Sequence, residues 1–234
     1  QTLNRENELN TILEKMKKLL LSAFVICLAG TSIAQESPLW MRHCALSPDG
    51  TTIAFTYKGD IYTVPSTGGR ATQITTNPAF DTEPVWSPDS KQIAFASDRM
   101  GSLDVFVVSS EGGAPQRLTT HSGSEKPVAY KDNKHILFTA NIAPSAEDAG
   151  FPSGQFQQVY EVAVTGGRPA MFSSMPMECI SINKEGVMLY QDKKGYEDYW
   201  RKHQVSPIAR DIWTYTPGKK PVYQKQTTFG GEDR

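Results

Sequence analysis

The phrase SPDGTTIAF, Ser47–Phe55, returns forty positions later as SPDSKQIAF, Ser87–Phe95. A self-similarity of that period confines a chain to architectures that stack one small unit repeatedly. Aligned on itself, the sequence yields four units. The first runs from Cys44 to Thr76 and the second from Pro84 to Thr120. The third keeps the skeleton as PVAYKDNKHILFTA and QVYEVAVTGGRPAMFSS, and the fourth as CISINKEGVMLYQD and DIWTYTPGKKPVYQKQTT. Each unit offers four short strand candidates, in the second PVWS, QIAFAS, DVFVVSS and PQRLTT. Ile93 and Phe95 alternate with Ala94 and Ala96, and Val105 and Val107 with Phe106 and Val108, the period of strands packed on both faces. Pro48-Asp49-Gly50 and the pairs Gly68-Gly69, Gly112-Gly113 and Gly166-Gly167 supply tight-turn chemistry between them.

Four antiparallel strands every forty-odd residues predict an all-β chain, a β-propeller of four-stranded antiparallel blades. A β-sandwich also has many short strands, but has no reason to repeat its turn sequences in register. The blades are placed at about 40–77, 84–120, 127–174 and 179–228, within a partial propeller over 35–234. The tail TTFGGEDR resembles the junction that opens the second unit, so an incomplete ring and a longer protein are expected. Two long insertions, Asn141–Phe156 and Lys193–Arg210, fall between the second and third strands of units three and four and are expected on one face of the ring, where function tends to be placed.

Ahead of the repeats, MKKLLLSAFVICLAGTSIA has two lysines after Met16, an apolar run from Leu19 to Ala29 and a small-residue end at Ala34, the pattern of a helical secretory signal peptide over 16–34. Residues 1–15 read as an upstream extension, with Met16 the expected start. Export to the periplasm or the extracellular space is expected, with no membrane span in the mature chain. The net charge is -1, and removal of residues 1–34 leaves 20 basic and 22 acidic residues. Such a balance gives no field that would gather nucleic acid or an anionic membrane.

A serine nucleophile would need a base beside it, and no Gly-x-Ser-x-Gly elbow occurs. His43, His121, His135 and His203 are scattered, without metal-ligand spacing. No catalytic residue, metal site or cofactor is expected within the chain. Asp49 and Asp89 read as turn caps and Trp86 as core. Cys44 and Cys179 read as the same register in different blades, too far apart for a disulfide. The one unusual concentration is KKGYEDYWRKH, in which Tyr196, Tyr199 and Trp200 interleave with Lys194, Arg201 and Lys202. Tyr196, Tyr199, Trp200, Arg201 and Lys202 are candidates for docking a neighbouring domain or for gripping an extended peptide.

The units resemble the WD-like repeats of TolB-type propellers. The stretches TEPVWSPDSKQIAFASDRMGSLDVF, KGYEDYWRKHQVSPIARDIW and TTFGGEDR are more specifically similar to the N-terminal propeller of bacterial tricorn-like serine peptidases. That resemblance implies a long exported peptidase in which propellers filter and route peptides, while a serine core with its catalytic residues lies beyond Arg234. The implied partners are peptides or the C-terminal domains of the same protein, with oligomerisation left open. A TolB-like binding propeller and the propeller of a prolyl-oligopeptidase-type enzyme are the alternatives.

Overall fold

The computed structural model describes Lys17 and residues 40–142, 157–192 and 210–227. The chain divides into two units, Gln1–Leu39 and Trp40–Arg234, and every described strand belongs to the second. Its first sheet holds β1 (Arg42–Leu46), β2 (Thr52–Tyr57), β3 (Asp60–Pro65) and β4 (Thr72–Gln73), and its second β5 (Asp81–Trp86), β6 (Gln92–Ser97), β7 (Asp104–Ser109) and β8 (Gln116–Arg117). The third holds β9 (Lys126–Asp132), β10 (His135–Ala140), β11 (Gln158–Ala163) and β12 (Ala170–Ser173), and the fourth β13 (Met177–Ile182), β14 (Met188–Asp192), β15 (Ile212–Thr216) and β16 (Val222–Lys225). Each sheet is a consecutive antiparallel meander. Together they form the four blades of a propeller, as the repeat predicts. The long insertions leave from the ends of β10 and β14, where the period breaks; residues 143–156 and 193–209 lie outside the described residues.

The period-2 alternation explains how the blades cohere. Ile93, Phe95, Phe106 and Val108 of the second blade pack with Ala54, Ile61 and Ile74 of the first. Their alternates Ala94, Val105 and Val107 pack with Ile136, Phe138 and Tyr160 of the third. Leu137 and Val159 turn the other way, towards Met177, Met188 and Tyr190 of the fourth. Each seam therefore removes apolar area from water on both sides, at about 1.5–3 kcal/mol for a large side chain. A cross-strand aromatic pair recurs at the same register: Phe55 with Tyr62 at 5.9 Å, Phe95 with Phe106 at 5.9 Å and Phe138 with Tyr160 at 5.7 Å between ring centroids. Such stacked pairs add stability beyond their buried area.

The repeated turn works as a cap. The Ser47 hydroxyl donates to Asp49 Oδ1 at 2.6 Å, and Asp49 Oδ1 accepts the Thr51 N–H at 2.9 Å. Ser87 and Asp89 repeat this at 2.7 Å, with the Lys91 N–H at 3.2 Å. In the fourth blade, where the phrase has decayed to NKEG, Asn183 Oδ1 alone accepts from Glu185 at 3.0 Å and Val187 at 2.8 Å. The turns also link blades: the Asp49 N–H donates to Ser90 Oγ at 3.3 Å, and the Asp89 N–H to Asn133 Oδ1 at 3.1 Å. Ser90 reaches its neighbour from a left-handed φ of 59°, where Gly50 and Gly186 sit at 75° and 79°.

The innermost strands are longer than the short PVWS segment suggests, because a bulge lies within them. Pairing shifts between Arg42 and Ala45, between Thr82 and Val85, and between Glu178 and Ser181. The extra residue puts His43, Glu83 and Cys179 at φ of 50°, 55° and 52°. Pro84, which has no N–H to give a ladder, is accommodated there. This corrects the reading of the cysteines: Cys179 shares the register of His43 and Glu83, whereas Cys44 is one residue further along and shares that of Pro84. In a strand, one residue of slip reverses the face. Both thiols are free and exposed.

Candidate functional site

Among the described residues, the first strand of every blade, β1, β5, β9 and β13, pairs on one side only, and its other edge is open. Between these four edges lies a cavity of about 870 Å³, whose lining includes Cys44, Trp86, Ala129, Tyr130, Ile180 and Ser181. Lys131 and Asp132 at the end of β9 and Lys184 in the turn after β13 border it. Unpaired main-chain donors and acceptors beside small apolar side chains suit an extended polypeptide, which satisfies such an edge by adding to it. The bulges break the ladder at a fixed height, which also guards the edges against indiscriminate pairing.

Trp86 is core, as the sequence reading has it. It is 7% exposed, and its indole N–H donates to the Ala45 carbonyl of the first blade at 2.9 Å. Asp49 and Asp89 serve their own turns, and the hydroxyls of Ser47 and Ser87 hold the two carboxyls below the ordinary carboxylate range. His43 Nδ1 lies 2.9 Å from Thr82 Oγ1 across a blade seam, His121 Nδ1 accepts the Gly123 N–H at 3.0 Å, and His135 Nδ1 lies 3.0 Å from Asp132 Oδ2. The structure does not bring these three histidines together. Tyr196, Tyr199, Trp200, Arg201, Lys202 and His203 lie outside the described residues. Among the described residues, no group of three His, Cys, Asp or Glu could hold a metal ion, and no helix is long and apolar enough to cross a membrane.

Buried charge lies elsewhere, where the chain passes from one blade into the next, and sequence reasoning did not look there. An aspartate opens the third strand in two blades, the half-buried Asp60 and the buried Asp104, and in the fourth the buried Asp211 stands one residue ahead of β15. A threonine two residues past the fourth strand bonds to the residue after each aspartate: Thr75, Thr119 and Thr227 accept the N–H groups of Ile61, Val105 and Ile212 at 2.9, 2.9 and 3.2 Å. Asp81 follows Thr75 by six residues and Glu125 follows Thr119 by six, and both are fully buried. The repetition of this spacing is the signal that could have revealed them.

Residues 38–234 match the family described as the tricorn protease N-terminal beta propeller domain. The chain belongs to that family. Tricorn protease homolog 1 of Streptomyces coelicolor is 39% identical over 77 residues, 33% of this chain and 7% of that protein. An uncharacterized peptidase, YuxL, of Bacillus subtilis is 28% identical over 129 residues, 54% of this chain and 20% of that protein. This tricorn-type propeller therefore spans a fifth or less of either relative. Among solved structures, the tricorn protease aligns with a TM-score of 0.62 at 16% identity, over 84% of this chain and 19% of that one. TolB of Acinetobacter baumannii aligns with a TM-score of 0.57 at 18% identity, over 82% of this chain and 45% of that one. At those identities the two structures speak for the fold.

Proposed function

We propose that the chain is the non-catalytic propeller segment of an exported, tricorn-like serine peptidase, and that it admits or routes peptide substrates and docks the domains that cleave them. The observation that carries this reading is the family match over 38–234, joined to a cavity bordered by four open strand edges. The signal-like segment Met16–Ala34 supports export. The aromatic and basic residues Tyr196, Tyr199, Trp200, Arg201 and Lys202 supply the docking or peptide-gripping contacts in this proposal. The fold shared with TolB favours a second reading, a periplasmic protein-binding propeller with no peptidase attached.

Peptide hydrolysis by the complete gene product, set beside the same assay on residues 35–234, separates these readings. The complete product is expected to cleave peptides and the propeller to leave them intact. A complete product without peptidase activity favours the TolB-like reading. Turnover by residues 35–234 that a point change within them abolishes overturns the non-catalytic assignment. In the complete protein, Trp200→Ala with Arg201→Ala is expected to weaken peptide affinity or domain assembly, and the contact role fails if both are unchanged.

A further inference from the structure

The seam between the second and third blades encloses two carboxylates, and among the described residues only the first of them, Asp104, has a cation paired with it. Asp104, at the start of β7, and Glu125, just ahead of β9, are each fully buried. Among the described residues, none of their four carboxylate oxygens has an aligned hydrogen-bond partner, nor has Arg117 Nε, although the Thr119 hydroxyl and the His121 main chain lie close enough to Glu125 to favour its charged form. Arg117 Nη2 stands 2.8 Å from Asp104 Oδ2, an ion pair without hydrogen-bond alignment. The other charges of the surrounding elements are engaged elsewhere: Arg99 with Asp81 at 3.0 Å, and Lys126 with Glu83 at 2.7 Å. The imidazole of His121, in the connection between β8 and β9, accepts the Gly123 N–H. Two ionised carboxylates here would leave one negative charge buried without compensation, which a protein interior does not support.

We propose that Asp104 and Glu125 hold one proton between them as a structural part of this seam, and that releasing it to solvent as the pH rises loosens the second blade from the third. A carboxylic acid facing a carboxylate supplies the donor that the four unpartnered oxygens lack. Burial pushes Glu125 up to about 7, and the charge of Asp104 adds to it, while Thr119 and the His121 main chain pull the other way without prevailing. A group raised in the folded state stabilises fully below its unfolded value, 4.5 for this glutamate, and that contribution is lost as the pH climbs through about 7. The Glu125 N–H, which donates to the Leu103 carbonyl at 2.7 Å, sits on the seam and reports its opening.

Amide hydrogen exchange in the complete gene product tests this at pH 6 and pH 8.5, corrected for the intrinsic rate at each pH. Protection at Glu125 and Val105 is expected to fall about tenfold at the higher pH in the natural protein and to stay level in Glu125→Gln, whose amide carries its own donor. Amides beside Asp81 serve as the internal reference. An equal fall in Glu125→Gln overturns the proposal. Should that variant not fold, infrared difference spectra of the unaltered protein replace it: loss of a protonated carboxylic-acid carbonyl band between the two pH values supports the shared proton, and its absence overturns it. Protection restored at pH 8.5 by calcium chloride and removed by a chelator assigns the pair to a cation and likewise overturns the proton.

Discussion

The first and second seams of the propeller are built from one plan and settle their buried charge differently. In the first, burial and then the charge of Asp81 raise Asp60 above the ordinary carboxylate range, and Arg99 Nη2 donates to both oxygens of Asp81 at 3.0 Å while its Nε donates to Ser97 Oγ at 2.8 Å. Its guanidinium also lies 4.5 Å from the centroid of the Phe106 ring. In the second, Asp104 and Glu125 take the equivalent places, but Arg117 serves Asp104 alone. The third seam has Gln158 and Met177 at those positions and no acid at either. The fold thus tolerates an arginine lock, an unmatched acid pair or a neutral glutamine–methionine pair at one structural position. The radial stacking of apolar faces sets the architecture, and the charges tune each seam.

The largest expected effect falls on the arginine lock. Arg99→Ala strands the buried Asp81 and should cost about 3–5 kcal/mol, read as a shift of the first transition in urea. A stability change within about 0.5 kcal/mol would show that the lock is dispensable. Phe95→Ala and Phe138→Ala, each removing half of a stacked pair at 0% exposure, should cost about 3–5 kcal/mol apiece. The two should add, because they serve different seams; strong coupling between them would contradict independent seams.

Smaller effects sharpen the comparison at the turns. Asn183→Ala removes the acceptor for two main-chain donors and should cost about 1 kcal/mol, confined to exchange at the β13–β14 hairpin. Asp49 and Asp89, held low by Ser47 and Ser87, stabilise above their unfolded value of 3.8, and that contribution is lost as the pH falls through their lower folded values. Acid unfolding should therefore shift less in a chain carrying Ser47→Ala with Ser87→Ala, whose aspartates are closer to ordinary. An unchanged acid transition would remove the turns from the account.

Much of the fold was legible because the two signals that build it, alternation and turn chemistry, are local. Ile93 and Ala94 belong to different seams simply because they are neighbours in a strand. Even the decayed NKEG phrase retains the acceptor its turn requires. The bulges were not legible: no residue type marks the left-handed positions of His43, Glu83 and Cys179, and missing them misaligned the cysteines by one residue. The cavity was equally hidden, since Ala129, Ile180 and Ser181 are undistinguished residues that only the packing of the blades brings to one cavity. Glu125 had a readable cue in its spacing from Thr119, but its burial depends on a third blade packing over it.

The proposal that peptides pass the open edges of the inner strands on their way to cleavage is tested most directly at Cys44. Cys44, exposed and lining that cavity, allows it to be blocked in the complete gene product carrying Cys179→Ser. After reaction with a bulky maleimide, hydrolysis of long peptides should fall severalfold, while the same treatment leaves the Cys44→Ser, Cys179→Ser protein unaffected. Unchanged cleavage of long peptides with Cys44 fully modified would contradict the account.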